Sequence, residues 1–269
     1  MKILFRSWFL IRLIGHDVYR GALREKMMYS FLLLSFLFIL LANVPYVVND
    51  PGVFENQLPM ATALQVGFVA INIFILLIAV FVSLSTMQNY LAFERLELLL
   101  FRPLRRWQIM AGVLLGLYKM ILINWFLMTA GVWLVIVSHE PTLAFFVWKG
   151  FSVMALLGLL YVSLVVFFYS LLPNVIAGVM AVFVVIAGFG VPSAGRAFAG
   201  LSWPQLLEQM IGLALRLLPQ IHALLAIALK ELLIFRIPIA PAGYLFHAAF
   251  LMILLNIVAC LIFERKSQF

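Results

Sequence analysis

Six stretches of this chain are so continuously apolar that no water-facing element can be made from them. Residues 28–48, 58–87, 107–137, 145–171, 175–191 and 242–263 run with scarcely a charge. Neighbours such as Phe31, Leu32, Leu33 and Leu34 point all round a helix, which leaves neither a polar side for water nor the alternation of a membrane β-strand. About 20 mostly apolar residues, at 1.5 Å rise each, cross a hydrocarbon core. The expected fold is therefore an all-α polytopic integral membrane protein with six transmembrane helices, built as one domain over residues 1–269. Asp, Glu, Lys and Arg make up only 10% of the chain against about 25% in soluble domains, too few to coat a soluble surface.

The positions of the cations set the expected orientation. Twelve of the 18 Lys and Arg lie in residues 1–27, in 88–106 and in the tail after Phe263. On the other side stand Lys149 and four more spread over 193–241. By the positive-inside rule both termini and the 88–106 loop face the cytoplasm, in a cell inner (cytoplasmic) membrane. The net charge of +8 flanks apolar spans instead of gathering on one domain, which argues against a nucleic-acid partner. The lone Cys260 lies in an apolar run, so a disulfide framework is excluded.

Two segments do not read as spans. In residues 1–27, Arg6, Arg12, His16 and Arg20 interrupt the apolar pattern, three of them four residues apart and so on one helical face, and Arg24 is a further cation of the same segment. Trp8, Phe9, Leu13 and Ile14 fall elsewhere on the helix. The expectation is an interfacial helix, its basic face toward anionic lipid headgroups or a partner and its aromatic face in the acyl boundary; a plain positive-inside anchor is the alternative. In residues 193–241, Pro204 opens a helix whose Gln205, Glu208, Gln209 and Arg216 share a polar side, and Pro219 breaks it. The apolar piece that follows is bounded by Pro219 and Pro238 and is short for a crossing, which suits an outer amphipathic or re-entrant hairpin between the fifth and sixth spans.

Catalytic patterns are missing from the sequence. None of the six lysines follows a glycine, so there is no phosphate-binding loop, and neither His-Glu-x-x-His nor Gly-x-Ser-x-Gly occurs. His16, His139, His222 and His247 are scattered with no pair at metal-ligand spacing; His247, inside the last span, reads as a hydrogen-bonded bundle histidine. Lys119 is the one charge deep in a span, near mid-membrane if that span is straight. Two readings of it stand open: it lines a substrate path, or its ammonium reaches a lipid headgroup. Asn72 and Asn124 are either part of the same candidate path or, with Asn256, interhelical hydrogen bonds. Gly112-x-x-x-Gly116 is a candidate close-packing site.

The most distinctive stretch joins the second and third spans. It mixes Glu94, Arg95, Glu97, Arg102, Arg105 and Arg106 with Leu96, Leu98, Leu99 and Leu100, and Pro103 turns the chain before the third span. This stretch resembles the permease subunits of type-2 ABC exporters, matching their pattern at Leu96, Glu97, Leu98, Leu99, Leu100, Pro103, Leu104, Arg106, Trp107, Ile109 and Gly112. It departs from them at Tyr90 to Phe93, where that family has an acidic pair for which Glu94 is the nearest stand-in, at Glu94-Arg95 in place of Gly-Thr, and at Val113 in place of Lys.

The resemblance implies that 88–106 forms a cytoplasmic coupling helix, with Glu94, Glu97, Arg102, Pro103, Arg105 and Arg106 docking into a cleft of a separate ATPase. It implies two ABC ATPase subunits that bind ATP and Mg, a second permease copy or a homologous permease, and no cofactor in this chain. The function implied is outward movement of a cargo, for which walls of Phe, Leu, Val and Met suit a lipid-like or amphipathic molecule. Two other classes stay open: a membrane-embedded enzyme acting on a lipid carrier, and a membrane scaffold that anchors an ATPase without transporting.

Overall fold

The computed structural model describes residues 2–24, 26–42, 58–91, 105–139, 147–199, 223–224 and 241–265. Among these there are seven helices and no strand: α1 (Lys2–Leu23), α2 (Lys26–Ala42), α3 (Leu58–Leu91), α4 (Arg106–His139), α5 (Val147–Leu171), α6 (Asn174–Ala199) and α7 (Pro241–Arg265). The described part of each of the six expected apolar stretches falls on one helix, α2 to α7. Four carry windows long and apolar enough to cross a membrane, Gly67–Tyr90, Arg106–Ser138, Trp148–Leu171 and Ala242–Arg265, so the chain is a multi-pass helical membrane protein. Met28–Leu37 and Asn174–Phe189 are shorter apolar helical stretches among the described residues.

Local chemistry sets several of the boundaries. At the start of α4 the Gln108 side-chain oxygen accepts the backbone N–H of Arg105 at 3.1 Å while the Gln108 backbone N–H donates to the Arg105 carbonyl at 2.9 Å. That is half of a capping box, and it fixes the helix start just after Pro103. Between α5 and α6 only Leu172 and Pro173 intervene; Leu172 N–H donates to the Phe168 carbonyl and Ala177 N–H to the Pro173 carbonyl, so each helix end has one of its backbone groups satisfied within the turn.

Two boundaries differ from the sequence expectation. Helix α3 continues to Leu91 instead of stopping at residue 87, and α6 passes through Pro192 to Ala199, taking in residues assigned above to the outer excursion. A proline removes one ladder hydrogen bond, whereas ending a helix in an apolar setting strands several carbonyls, so continuing costs less. Apart from residues 193–199 in α6 and Pro241 in α7, the expected outer segment lies outside the described residues except for Ala223 and Leu224, which are helical and buried.

Helix α5 is the hub. Every residue from Leu160 to Val166 is buried, and α5 touches α3, α4, α6 and α7. Of its apolar window 67% is buried within the molecule, against 11% for α7, which therefore lies at the edge with Phe246, Phe250, Ile253 and Ile257 turned outward. The hub is built by close fit, because one apolar surface gains nothing by leaving lipid for another. A Cβ on Gly158 would sit 2.9 Å from Ile75 Cγ2 and 3.0 Å from Ile121 Cγ2, which marks where α3, α4 and α5 meet. Toward the other end Phe68 stacks on Phe151 at 5.1 Å, and Trp148 meets Phe151 edge-on at 5.8 Å.

Among the described residues, α1 packs closely on α4. Ile11, Ile14, Val18 and Ala22 form the buried stripe of α1. A Cβ on Gly112 would meet Ile14 Cβ at 2.8 Å and the Ile11 carbonyl oxygen at 3.2 Å. One on Gly116 would meet Val18 Cβ at 2.6 Å and the Gly15 carbonyl at 2.8 Å. Backbone thus lies against backbone, and the small-residue pair of the third span is the seat of the N-terminal helix. We expect Gly116→Leu to push α1 off α4 at a cost of about 1–3 kcal/mol, seen as faster proteolysis within α1 and a lower unfolding temperature in detergent. Gly243→Ala, where no atom lies within 4 Å, should leave both unchanged.

Candidate functional site

Two places in the molecule gather polar groups. The first is the end of the bundle where α1, the last turn of α3 and the first turns of α4 meet. Tyr90, one residue from the end of α3, donates its hydroxyl to the Asp17 carbonyl oxygen at 2.9 Å and lies 3.3 Å from Asp17 Oδ2. Its ring fills the space beside Gly21, where a Cβ would come 2.7 Å from the Tyr90 oxygen. So α1 grips both stems of the stretch 92–104: the α3 stem through Asp17 and Gly21, the α4 stem through the glycine seat.

On its outward side α1 exposes Trp8, Phe9 and Leu13 together with Arg12, His16, Arg20 and Arg24. Helix α1 thus has three faces where the sequence reading gave two. Ile14, grouped there with the aromatic residues, turns onto α4 instead, because the glycine seat accepts a branched side chain at close range. Arg6 lies on the α1 backbone, and its side chain is outside the described residues. Of the expected coupling residues, Arg105 is exposed and Arg106 half-buried at the start of α4, whereas Glu94, Glu97, Arg102 and Pro103 lie outside the described residues.

The second polar place is inside the bundle. Tyr161 on α5 donates its hydroxyl to Asn72 Oδ1 on α3 at 2.8 Å, with both residues buried. On the opposite side of α5, Ser163 spends its proton on the Leu159 carbonyl at 2.8 Å, so the 2.6 Å contact between the Tyr118 and Ser163 oxygens is donated by Tyr118. Asn256 Nδ2 in turn donates to the Tyr118 oxygen at 2.5 Å. The result is a one-way chain from α7 through α4 to α5 that ends on a backbone carbonyl. Trp125 adds a bond from its indole nitrogen to the Phe151 carbonyl at 3.0 Å.

These bonds separate the three candidate path residues. Asn72 joins helices, one of the two readings open for it. Asn124, 1% exposed, donates to Met120 one turn back on its own helix at 2.9 Å, so it is not the interhelical bond anticipated, and its Oδ1 has no partner among the described residues. A carboxamide satisfies its N–H most cheaply on the carbonyl four residues back, which an apolar helix always offers. Lys119 is half-buried on the flank of α4, and no hydrogen bond joins any two of the three. His247 Nε2 is buried without a hydrogen-bond partner among the described residues, contrary to the bonded histidine expected there.

Asp17, Tyr90, Tyr118, Tyr161 and Ser163 escape a reading of the sequence. Their contacts join residues 45 to 138 positions apart, and nothing in the local pattern around a tyrosine names its distant partner. Among the described residues no three His, Cys, Asp or Glu side chains come together as a metal site requires. No family model matches the chain, and no curated protein matches it.

The Asn72–Tyr161 bond predicts a difference between losing its acceptor and losing its donor. Asn72→Leu leaves the Tyr161 hydroxyl buried without an acceptor and should cost about 1–3 kcal/mol; Tyr161→Phe removes the hydroxyl itself and should cost less. Reversible unfolding of the full chain in mixed micelles compares the two, and the double variant should show a coupling of about 0.6 kcal/mol.

Proposed function

We propose that this chain is the transmembrane permease subunit of an ATP-driven exporter of the type-2 ABC class, which its 94–112 stretch resembles. In this reading α2 to α7 make six crossings, α1 lies along the inner leaflet with both termini in the cytoplasm, and 88–106 is the element that an ATPase grips. The observation that favours it most is the double hold of α1 on the stems of 92–104, through Tyr90 and through Gly112 and Gly116. A loop that receives force needs its two ends tied to a common body, or it would flex alone.

The mechanism follows from that arrangement. Two ATPase subunits, closing on ATP and Mg, displace the loop through contacts at Glu94, Glu97, Arg102, Arg105 and Arg106. Because α1 is locked to both stems, the displacement is shared by α1, α3 and α4 and reaches α5 through the packing around Gly158. Two such bundles then exchange between an arrangement open to the inner side and one open outward. This chain contributes no nucleotide chemistry; its part is to convert a push on a loop into a change of helix packing. The cargo side is apolar, suiting a lipid-like or amphipathic molecule.

The test is biochemical. Purified from its native membrane, the tagged chain should carry an ATPase subunit with it, and the combination Glu97→Arg with Arg106→Glu should abolish that association or the ATP-dependent export measured in proteoliposomes. Arg102→Cys should be shielded from an impermeant maleimide added to intact cells. Labelling from outside, or a chain that never brings down an ATPase and keeps its function with both charges reversed, removes the exporter reading.

A further inference from the structure

Lys119 lies on the ridge of α4 that seats α1. Gly112, Leu115, Gly116 and Lys119 follow one another at helical spacing, and the α1 backbone rests on the first three: a Cβ on Gly15 would come 2.7 Å from Leu115 Cδ2 and 3.0 Å from the Gly112 carbonyl oxygen. Lys119 therefore stands one turn above the helix crossing. Helical side chains lean toward the N-terminus of their helix, which here means back over that crossing. Counted along α4, Lys119 is roughly 20 Å from Arg106, yet the exposed polar side chains of α1 are carried up to the level of Gly116. The ammonium thus borders a polar step and is not stranded in mid-hydrocarbon.

The register of α1 gives the charge at that step. At about 100° per residue, Asp17 and Gly21 fall on the flank of α1 that faces Tyr90 and α3. Arg12, His16 and Tyr19 fall on the other flank, the side toward Leu115 and Lys119, and His16 stacks on Tyr19 at 6.4 Å. Asp17 is the one acid of α1, and its carboxylate lies with Tyr90 on the far side. Arg12, Arg20 and Lys119 make no hydrogen bond or ion pair among the described residues. Among the described residues, cations gather on this side with no carboxylate to balance them. Beyond Lys119 on the same face of α4, Leu122, Ile123 and Phe126 are exposed and form an apolar lane.

A cationic step below an apolar lane has the outline of a phospholipid. The geometry points to a site for an anionic phospholipid, its phosphate held between Lys119 and Arg12 with His16 beside it, and its acyl chains along Leu122, Ile123 and Phe126. The lipid supplies the missing negative charge and wedges the angle between α1 and α4. The site does not rest on the exporter reading, since it needs neither nucleotide nor ATPase.

The experiment uses the purified full chain in detergent, titrated with phosphatidylglycerol, phosphatidylcholine or glycerol 3-phosphate and read by native mass spectrometry. The chain should retain phosphatidylglycerol in preference to phosphatidylcholine and should not retain glycerol 3-phosphate, which lacks acyl chains. Lys119→Met and Arg12→Gln should each weaken phosphatidylglycerol binding about fivefold, Lys119→Arg should keep it, and Arg265→Gln, which removes a cation at the far end of α7, should leave it unchanged. Equal retention of the two lipids, a loss as large in Arg265→Gln as in Lys119→Met, or capture of glycerol 3-phosphate as strong as of the lipid overturns the proposal. Should Lys119→Met fail to fold, the exposed Arg12→Gln decides alone.

Discussion

Everything at the loop-bearing end of this protein depends on two helix backbones being able to touch. With a methyl group on either Gly112 or Gly116, Val18 and Ile14 could not descend, and α1 would stand off from α4 by the width of a side chain. In lipid this matters more than in water, because no hydrophobic drive compensates for a poor fit; association rests on dispersion between surfaces that match and on a few hydrogen bonds. The glycine seat provides the first. Tyr90 provides the second, by donating its hydroxyl from the end of α3 to the Asp17 carbonyl of α1. Helix α1 is consequently part of the bundle, and its outward cations are held at a fixed height along α4 instead of riding freely on the membrane surface.

Hydropathy alone reveals the six apolar segments, since continuous runs of Leu, Phe and Val leave a helix no water-facing side, and the described parts of all six are helical. The glycine pair of the third span is also visible as a close-packing signal, but small residues announce a close approach without naming the partner. The partner stripe of Ile11, Ile14, Val18 and Ala22 is present in the sequence at helical spacing, though it is hidden by the louder pattern of arginines and aromatics. An interfacial helix is usually sorted into a wet and an oily face; one that also docks on protein has a third, and two-face sorting misplaces Ile14. The interior tyrosines are harder still. Tyr161 and Tyr118 gain their roles only when α5 lies beside α3 and α4, which no local pattern encodes.

Polar groups inside the bundle are used sparingly and in one direction. Each donor in the chain from Asn256 through Tyr118 to Ser163 has a single acceptor, and the chain ends on the Leu159 carbonyl of α5. Such a sequence of bonds fixes rotation as well as distance, because turning α7 about its axis would break the first link. This helps a helix that buries so little of its own surface to hold one register against the hub. The Asn72–Tyr161 bond does the same between α3 and α5. The hub itself, from Leu160 to Val166, is otherwise closed by apolar contact on all sides.

The unequal burial of the helices bears on how motion would pass through the molecule. Helices α3, α4 and α5 meet around Gly158 at distances that leave no slack, and α1 is fastened to two of the three. On the exporter reading, a push delivered between Leu91 and Arg105 would turn α1, α3, α4 and α5 together instead of bending a single span. Helix α7 sits outside that body, tied to it by the Asn256–Tyr118 bond and by packing on one side only. On the exporter reading, the boundary at which one bundle rearranges is then the edge between α7 and the body formed by α4 and α5. The bond that would have to break or stretch for that edge to open is Asn256–Tyr118, and not Tyr118–Ser163 or Asn72–Tyr161, which lie within the body that would move as one.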